Sequence, residues 1–170
     1  MGKQLVLVME TNKECSSDYM YIRSVIENYY DVLSRPDFKL TPVYMSGKGN
    51  YNSQHVRGAI NRSIKAYARN GPTQVAYCFD TDRYESDQDA AEALEKEKQF
   101  CEDNNYKFIW FCHDIEEVFL GESVHDGEKK EKARQFIAKR MITTVKTSML
   151  RVKTISKGRS NLLIVLDNMK

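Results

Sequence analysis

No long apolar run occurs in this chain of 170 residues. A membrane-spanning helix needs roughly 20 consecutive apolar residues, so none is expected. The first apolar stretch, Leu5–Met9, is ended by Glu10 and is too short for a signal-peptide core. Only three prolines are present, with no internal repeat and no low-complexity segment. The four cysteines form no CxxC pair, which leaves neither a disulfide framework nor zinc-site spacing. Cys78 and Cys112 sit inside apolar runs and read as small buried side chains in a reducing compartment. His55, His113 and His125 are scattered, none at metal-ligand spacing with another. His113 reads as an ordinary surface histidine. Together these absences predict a cytoplasmic protein with no membrane contact.

What is present is one ordinary domain. A chain of this length buries on the order of 70% of the surface its unfolded form exposes and needs no covalent staples. Short β-rich runs alternate with helical stretches. Strands are predicted at Leu5–Met9, Lys39–Met45, Thr73–Phe79 and Tyr106–Cys112. Between them run three helices. The first carries Tyr19, Ile22, Val25, Ile26, Tyr29 and Leu33 on one face, with Ser16 or Ser17 as its cap. The second starts near Ser53 and closes at Gly71. The third opens at Ser86-Asp87-Gln88-Asp89, a capping-box pattern. This alternation predicts an α/β fold: an open, mostly parallel four-stranded sheet with helices on both faces. Residues 1–127 form that core. Residues 128–170 form a basic helical extension packed on the same domain, with one helix over 128–149. Leu162–Leu166 reads equally as a terminal helix or a last strand.

Charge is unevenly placed. Residues 1–128 carry 14 Lys/Arg against 22 Asp/Glu, and residues 129–170 carry 12 against 2. A basic tail on an acidic body suits a polyanion such as nucleic acid; a solvated basic helix is the plainer reading. Lys48, Lys139, Arg140, Lys146, Arg151, Lys153 and Arg159 are the phosphate-contact candidates.

The acids fall where such sheets bind ligands, at the carboxyl ends of strands. Glu10 ends the first predicted strand, and Asp80-Thr81-Asp82 ends the third. Strand alternation would point Asp80 and Asp82 together. Converging carboxylates repel one another, and a hard divalent cation, Mg²⁺ or Mn²⁺, relieves this. Glu14, four residues beyond Glu10, is placed to look into the same cleft, and Glu116 and Glu117 follow the fourth strand. A second group of acids permits a two-metal centre. The plainer readings are turn-forming acids for Asp-x-Asp and a helix N-terminus for Glu116 and Glu117. Lys157 in a basic loop, or Lys48 between glycines, would offset charge in a phosphoryl-transfer transition state. The Lys48 loop lacks P-loop spacing.

Glu10 and Glu14 after the first strand, Asp80-Thr81-Asp82 after the third, and His113-Asp114-Ile115-Glu116-Glu117-Val118-Phe119-Leu120 after the fourth resemble the Toprim domain. The likeness is closest to Toprim nucleases of the OLD and RloB-like kind, associated with bacterial phage defence. It spans roughly residues 4–120. It implies a metal-dependent nuclease cutting DNA or RNA, with Glu10, Asp80, Asp82 and Lys157 catalytic. It implies Mg²⁺ or Mn²⁺ on Glu10, Glu14, Asp80, Asp82 and Glu116, and a separate ATPase as partner, since OLD proteins carry that module and this chain does not. A homodimer is compatible with it. Thr11 stands where the family carries glycine, which frames the alternative: a non-catalytic Toprim binding module. Asp-x-Asp is also similar to haloacid dehalogenase phosphatases, but their nucleophilic Asp lies on the first strand, where Glu10 stands here. A small phosphatase or phosphotransferase is the third reading.

Overall fold

The computed structural model describes residues 1–31 and 35–169. Four strands form one sheet: β1 (Lys3–Met9), β2 (Phe38–Tyr44), β3 (Thr73–Asp80) and β4 (Lys107–Phe111). The order is β2-β1-β3-β4, and every neighbouring pair is parallel. The fold is therefore the α/β sheet expected from the alternation.

Strand pleating sorts the core into two layers. Leu5, Leu7 and Met9 face α1 (Ser17–Tyr29), while Val6 and Val8 face α2 (Gln54–Tyr67) and α3 (Gln88–Asp103). α4 (Ile115–Leu120), α5 (Lys129–Ala138) and α6 (Leu162–Asp167) complete the α1 side. There Tyr21 stacks on Phe119 at 5.1 Å and meets Phe136 edge-on at 5.0 Å. Phe136, Leu150 and Leu162 bring the C-terminal segment into the same core as β1. Burying each such side chain contributes on the order of 2 kcal/mol. Leu33, predicted on the first helix's apolar face, lies outside the described residues.

Local chemistry sets the helix ends. Ser53 accepts from the Val56 N–H at 3.2 Å and starts α2. Asp87, rather than Ser86, caps α3, accepting from the Asp89 and Ala90 N–H groups. Asp114 accepts from the Glu117 N–H at 2.8 Å and starts α4. Ser16 occupies the cap position of α1 in a left-handed conformation, with no side-chain cap bond. Gly71 closes α2 at φ +152; a Cβ there would lie 1.9 Å from the Gly2 carbonyl oxygen, so only glycine fits.

The single helix expected over 128–149 is instead α5 followed by two 3₁₀ turns, Met141–Thr144 and Thr147–Leu150. The break falls at Arg140, in the left-handed region at φ 51. Ile142-Thr143-Thr144-Val145 is a β-branched run with poor helix propensity. The Thr143 and Thr144 hydroxyls also donate to the Arg140 and Met141 carbonyls, competing with a helical ladder. Leu162–Asp167 resolves as a helix, with Ser160 Oγ accepting from the Leu162 N–H at 3.0 Å.

Before α6 the chain runs along the outer edge of β4. The Cys112 N–H donates to the Arg159 carbonyl at 3.1 Å, and Gly158 N–H donates to the Cys112 carbonyl at 2.6 Å. Asn161 spans two more strand positions, accepting from Trp110 N–H and donating to the Phe108 carbonyl. At the other edge, among the described residues, β2 pairs only with β1 and carries Pro42 in its middle.

From β1 the chain passes to β2 on one side of the sheet; from β3 it passes to β4 on the other. A crevice opens between the carboxyl ends of β1 and β3, where these paths diverge. Among the described residues no helix is long and apolar enough to cross a membrane. Cys15, Cys78, Cys101 and Cys112 are all free thiols.

Candidate functional site

Glu10 and Asp80 meet at that crevice. Glu10 Oε1 accepts from the Asp80 N–H at 3.0 Å, and the Glu10 carbonyl accepts from Gly47 N–H at 2.9 Å. One Asp80 oxygen accepts from the Ile115 N–H at 2.9 Å, tying β3 to the start of α4. The cleft they border holds about 430 Å³ and is also lined by Thr11, Asp18, Lys48 and Lys129.

Burial governs the electrostatics. It pushes the Glu10 carboxyl up to about 8, against the pull of Lys48, with Asp18 and Asp82 adding to it. Asp80 is driven well above the carboxylate range by burial and then by Glu10, Asp18, Glu116 and Asp114. Asp18, at 7% exposure, is raised to about 6 by burial against Lys129. Its side chain accepts from the Thr11 N–H at 3.4 Å. Glu116 is 1% exposed, and neither of its oxygens has a hydrogen-bond partner among the described residues. Lys129 Nζ stands 4.0 Å from it. Burial raises Glu116 to about 7, with Lys129 opposing. Such a set is short of positive charge: at neutral pH it must hold protons or take a cation.

Lys48 is the cation closest to the strand ends. Its ammonium donates to the Asp80 carbonyl, to Asp82 Oδ2 at 3.1 Å, and lies 3.6 Å from Glu97 Oε1. Burial lowers its pKa, but Glu10, Glu97 and Asp82 outweigh that and hold it charged. Glu97 is itself buried on the inner face of α3.

The structure gathers some of the sequence-predicted residues and disperses others. Glu10, Asp80 and Lys48 line the cleft. Glu116 lies buried beside Lys129, near enough for its charge to raise Asp80. Asp82 does not share a face with Asp80. β3 ends at Asp80, and Asp82 turns outward at φ 52, its N–H bonded to the His113 carbonyl. Glu14 is exposed on the loop and does not line the cleft, and Lys157 is exposed on the tail. Lys139, Arg140, Lys146 and Lys153 are exposed, Arg151 pairs with Asp167 at 3.2 Å, and Arg159 is half-buried. Asp18, Glu97 and Lys129 are the site residues that sequence reasoning missed. Asp18 was legible as an acid in register with Tyr21, Ile22 and Val25 on the buried face of α1.

Hard oxygen donors suit Mg²⁺ or Mn²⁺. Among the described residues no three of these carboxylates bring ligand oxygens within 4.8 Å of one another; Glu85, Cys112 and His113 do. Mg²⁺ does not need an all-protein cage. It keeps several waters and is commonly held by one or two carboxylates plus a substrate phosphate. Glu10 and Asp80, with the orphaned oxygens of Glu116 behind them, fit that mode.

His113 departs from the surface role expected of it. It is 7% exposed and lies between two carboxylates, Glu117 at its Nδ1 and Glu85 at its Nε2.

Compared with known proteins, the chain matches no family model, no curated protein and no solved structure.

Proposed function

We propose that this protein is a Mg²⁺- or Mn²⁺-dependent hydrolase of phosphodiester bonds in DNA or RNA, of the Toprim kind its motifs resemble. One observation carries the reading: desolvated carboxylates, Glu10 and Asp80, join at the diverging ends of β1 and β3, with Lys48 and Lys129 lining the same cleft. A bound divalent ion supplies Lewis acidity to the phosphoryl oxygen and lowers the pKa of a coordinated water. Glu10 and Asp80 hold it. Burial pushes the Glu10 carboxyl up to about 8, so the ion would displace its proton on binding and hold it as carboxylate. Lys48, already oriented by Asp82 and Glu97, meets a non-bridging phosphate oxygen. Lys139, Arg140, Lys146 and Lys153 contact the phosphate backbone, and Lys157 does so from the exposed tail. Four unpaired thiols accord with a cytoplasmic setting. A role in phage defence beside a separate ATPase rests on the resemblance alone.

A second reading, a non-catalytic binding module, is favoured by the absence of any three cleft carboxylates within 4.8 Å of one another among the described residues.

The test is incubation of purified protein with plasmid, single-stranded DNA and RNA in Mg²⁺ or Mn²⁺, beside an Asp80→Asn variant. Asparagine keeps the acceptor for the Ile115 N–H and replaces the second oxygen, a ligand for the ion, with an amide nitrogen. Cleavage that falls on the order of 100-fold in the variant supports the hydrolase. No cleavage by the parent chain, together with no thermal shift from either ion, gives the binding module instead. Activity confined to phosphomonoesters gives the phosphatase.

A further inference from the structure

A second cluster lies on the β3–β4 side of the molecule. Glu85 sits in the loop after β3, and Cys112 and His113 follow β4. One ligand atom from each lies within 4.8 Å of the other two. We propose that Glu85, Cys112 and His113 form a binding site for a borderline-soft divalent cation, Zn²⁺ foremost, distinct from the carboxylate cleft.

The donor set suits that class of ion. Thiolate, imidazole and carboxylate are zinc's ligands, and tetrahedral zinc spaces its donors roughly 3.3–3.8 Å apart. The three atoms lie within 4.8 Å of one another, so a small inward shift brings them to that spacing. Coordination replaces the present contacts of His113 Nε2 with the two Glu85 oxygens, at 2.9 and 3.1 Å, by bonds to a shared ion. The Cys112 thiol gives its proton to solvent and binds as thiolate. One thiolate, one carboxylate and a neutral imidazole then balance the ion's two charges, which suits a site with two buried ligands.

The surroundings orient the ligands. Glu117 accepts from the His113 backbone N–H at 3.1 Å and faces His113 Nδ1 at 3.1 Å. Its other oxygen accepts from Ser123 Oγ at 3.0 Å. With Glu117 as acceptor at Nδ1 the ring's proton sits there and the Nε2 lone pair faces Glu85, the arrangement that metal-bound histidines use. A neutral imidazole has one N–H, so it cannot donate to both carboxylates. A shared cation in place of that Nε2 contact would also draw in the Cys112 thiol, which lies within the same cluster. Cys112 is fixed through its backbone bonds to Arg159 and Gly158. Glu85 is exposed at the rim, which gives an ion its entry and leaves the fourth position to water.

The test is titration of the reduced, chelator-treated full chain with Co²⁺, a spectroscopic stand-in for Zn²⁺. The expected result is one equivalent bound, with tetrahedral visible bands and a near-ultraviolet thiolate-to-cobalt charge-transfer band, both removed by added Zn²⁺. Cys112→Ser abolishes the charge-transfer band. Glu85→Gln, at an exposed side chain that leaves the fold intact, weakens binding at least ~10-fold. Glu117→Gln, a positioning residue, weakens it by ~10–100-fold while the band persists at saturation. A Glu10→Gln/Asp80→Asn double variant keeps the band, which separates this site from the cleft. No charge-transfer band at saturating Co²⁺ overturns the proposal. An affinity unchanged in Glu85→Gln, or a band lost in the double variant, overturns it as well.

Discussion

Replacing Glu116 with glutamine should change how stability depends on pH more than it changes stability at any one pH. In the folded chain burial raises this carboxyl from 4.5 to about 7. Below pH 4.5 both folded and unfolded chains hold the proton, and the group contributes no difference. Between 4.5 and 7 the unfolded chain has released a proton that the folded chain keeps, so stability falls as pH rises. Above 7 both are ionised, and the loss is complete. At about 1.4 kcal/mol for each pH unit of separation, the loss is on the order of 3 kcal/mol. Asp18, raised from 3.8 to about 6, adds a loss in the same direction over a lower window. Glutamine removes the Glu116 contribution alone. Urea unfolding with a chelator at pH 5, 6, 7 and 8 reads it directly. Relative to the parent, the variant should gain about 3 kcal/mol between pH 5 and 8, whatever constant offset the buried amide introduces. In the parent at pH 8, Mg²⁺ at a hundred times its Kd should return about 3 kcal/mol by mass action. A difference between variant and parent that is flat across this range refutes the argument that desolvation dominates the site.

Two further outcomes follow from the packing around the cleft. Lys48→Met leaves the buried Glu97 carboxylate without its cation and should destabilise the chain by roughly 3 kcal/mol in urea unfolding; adding Glu97→Leu should restore most of it. Asn161→Ala strips partners from Trp110 N–H and the Phe108 carbonyl and should lower stability by about 2 kcal/mol, with faster amide exchange confined to β4.

How far the site could be read from the sequence depended on which rule governed each residue. Glu10 and Asp80 stand at the ends of apolar β-rich runs, and strand ends are where parallel sheets open, so both were legible. Asp82 was misplaced because alternation applies only while the strand lasts. β3 stops at Asp80, and the chain reverses through a left-handed residue two positions later. Asp18 and Glu97 escaped notice for a shared reason: each is an acid on a helix face otherwise given to the core. On α3, Leu94, Glu97 and Cys101 form one buried stripe, and the acid among them was the readable signal. Lys129 and His113 each have one partner nearby in the sequence, Asp126 and Glu117, but their second partners, Glu116 and Glu85, are brought to them only by the fold. The basic helix over 128–149 was overextended because charge and apolar spacing were weighed above the β-branched run at 142–145.

The stretch from Gly158 to Asn161 has a bearing on how this protein behaves in a crowded solution. An open parallel sheet ends in two rows of unpaired backbone groups, each a template for a strand from another molecule. Here β4 is occupied by its own chain through Arg159, Gly158 and the Asn161 amide, and β2 presents Pro42, which has no N–H to offer. The β4 flank is thereby closed to edge-to-edge growth, and the β2 flank lacks one donor. Any change that frees the tail, including loss of the Asn161 side chain, would turn β4 into a nucleus for aggregation well before the core itself unfolds.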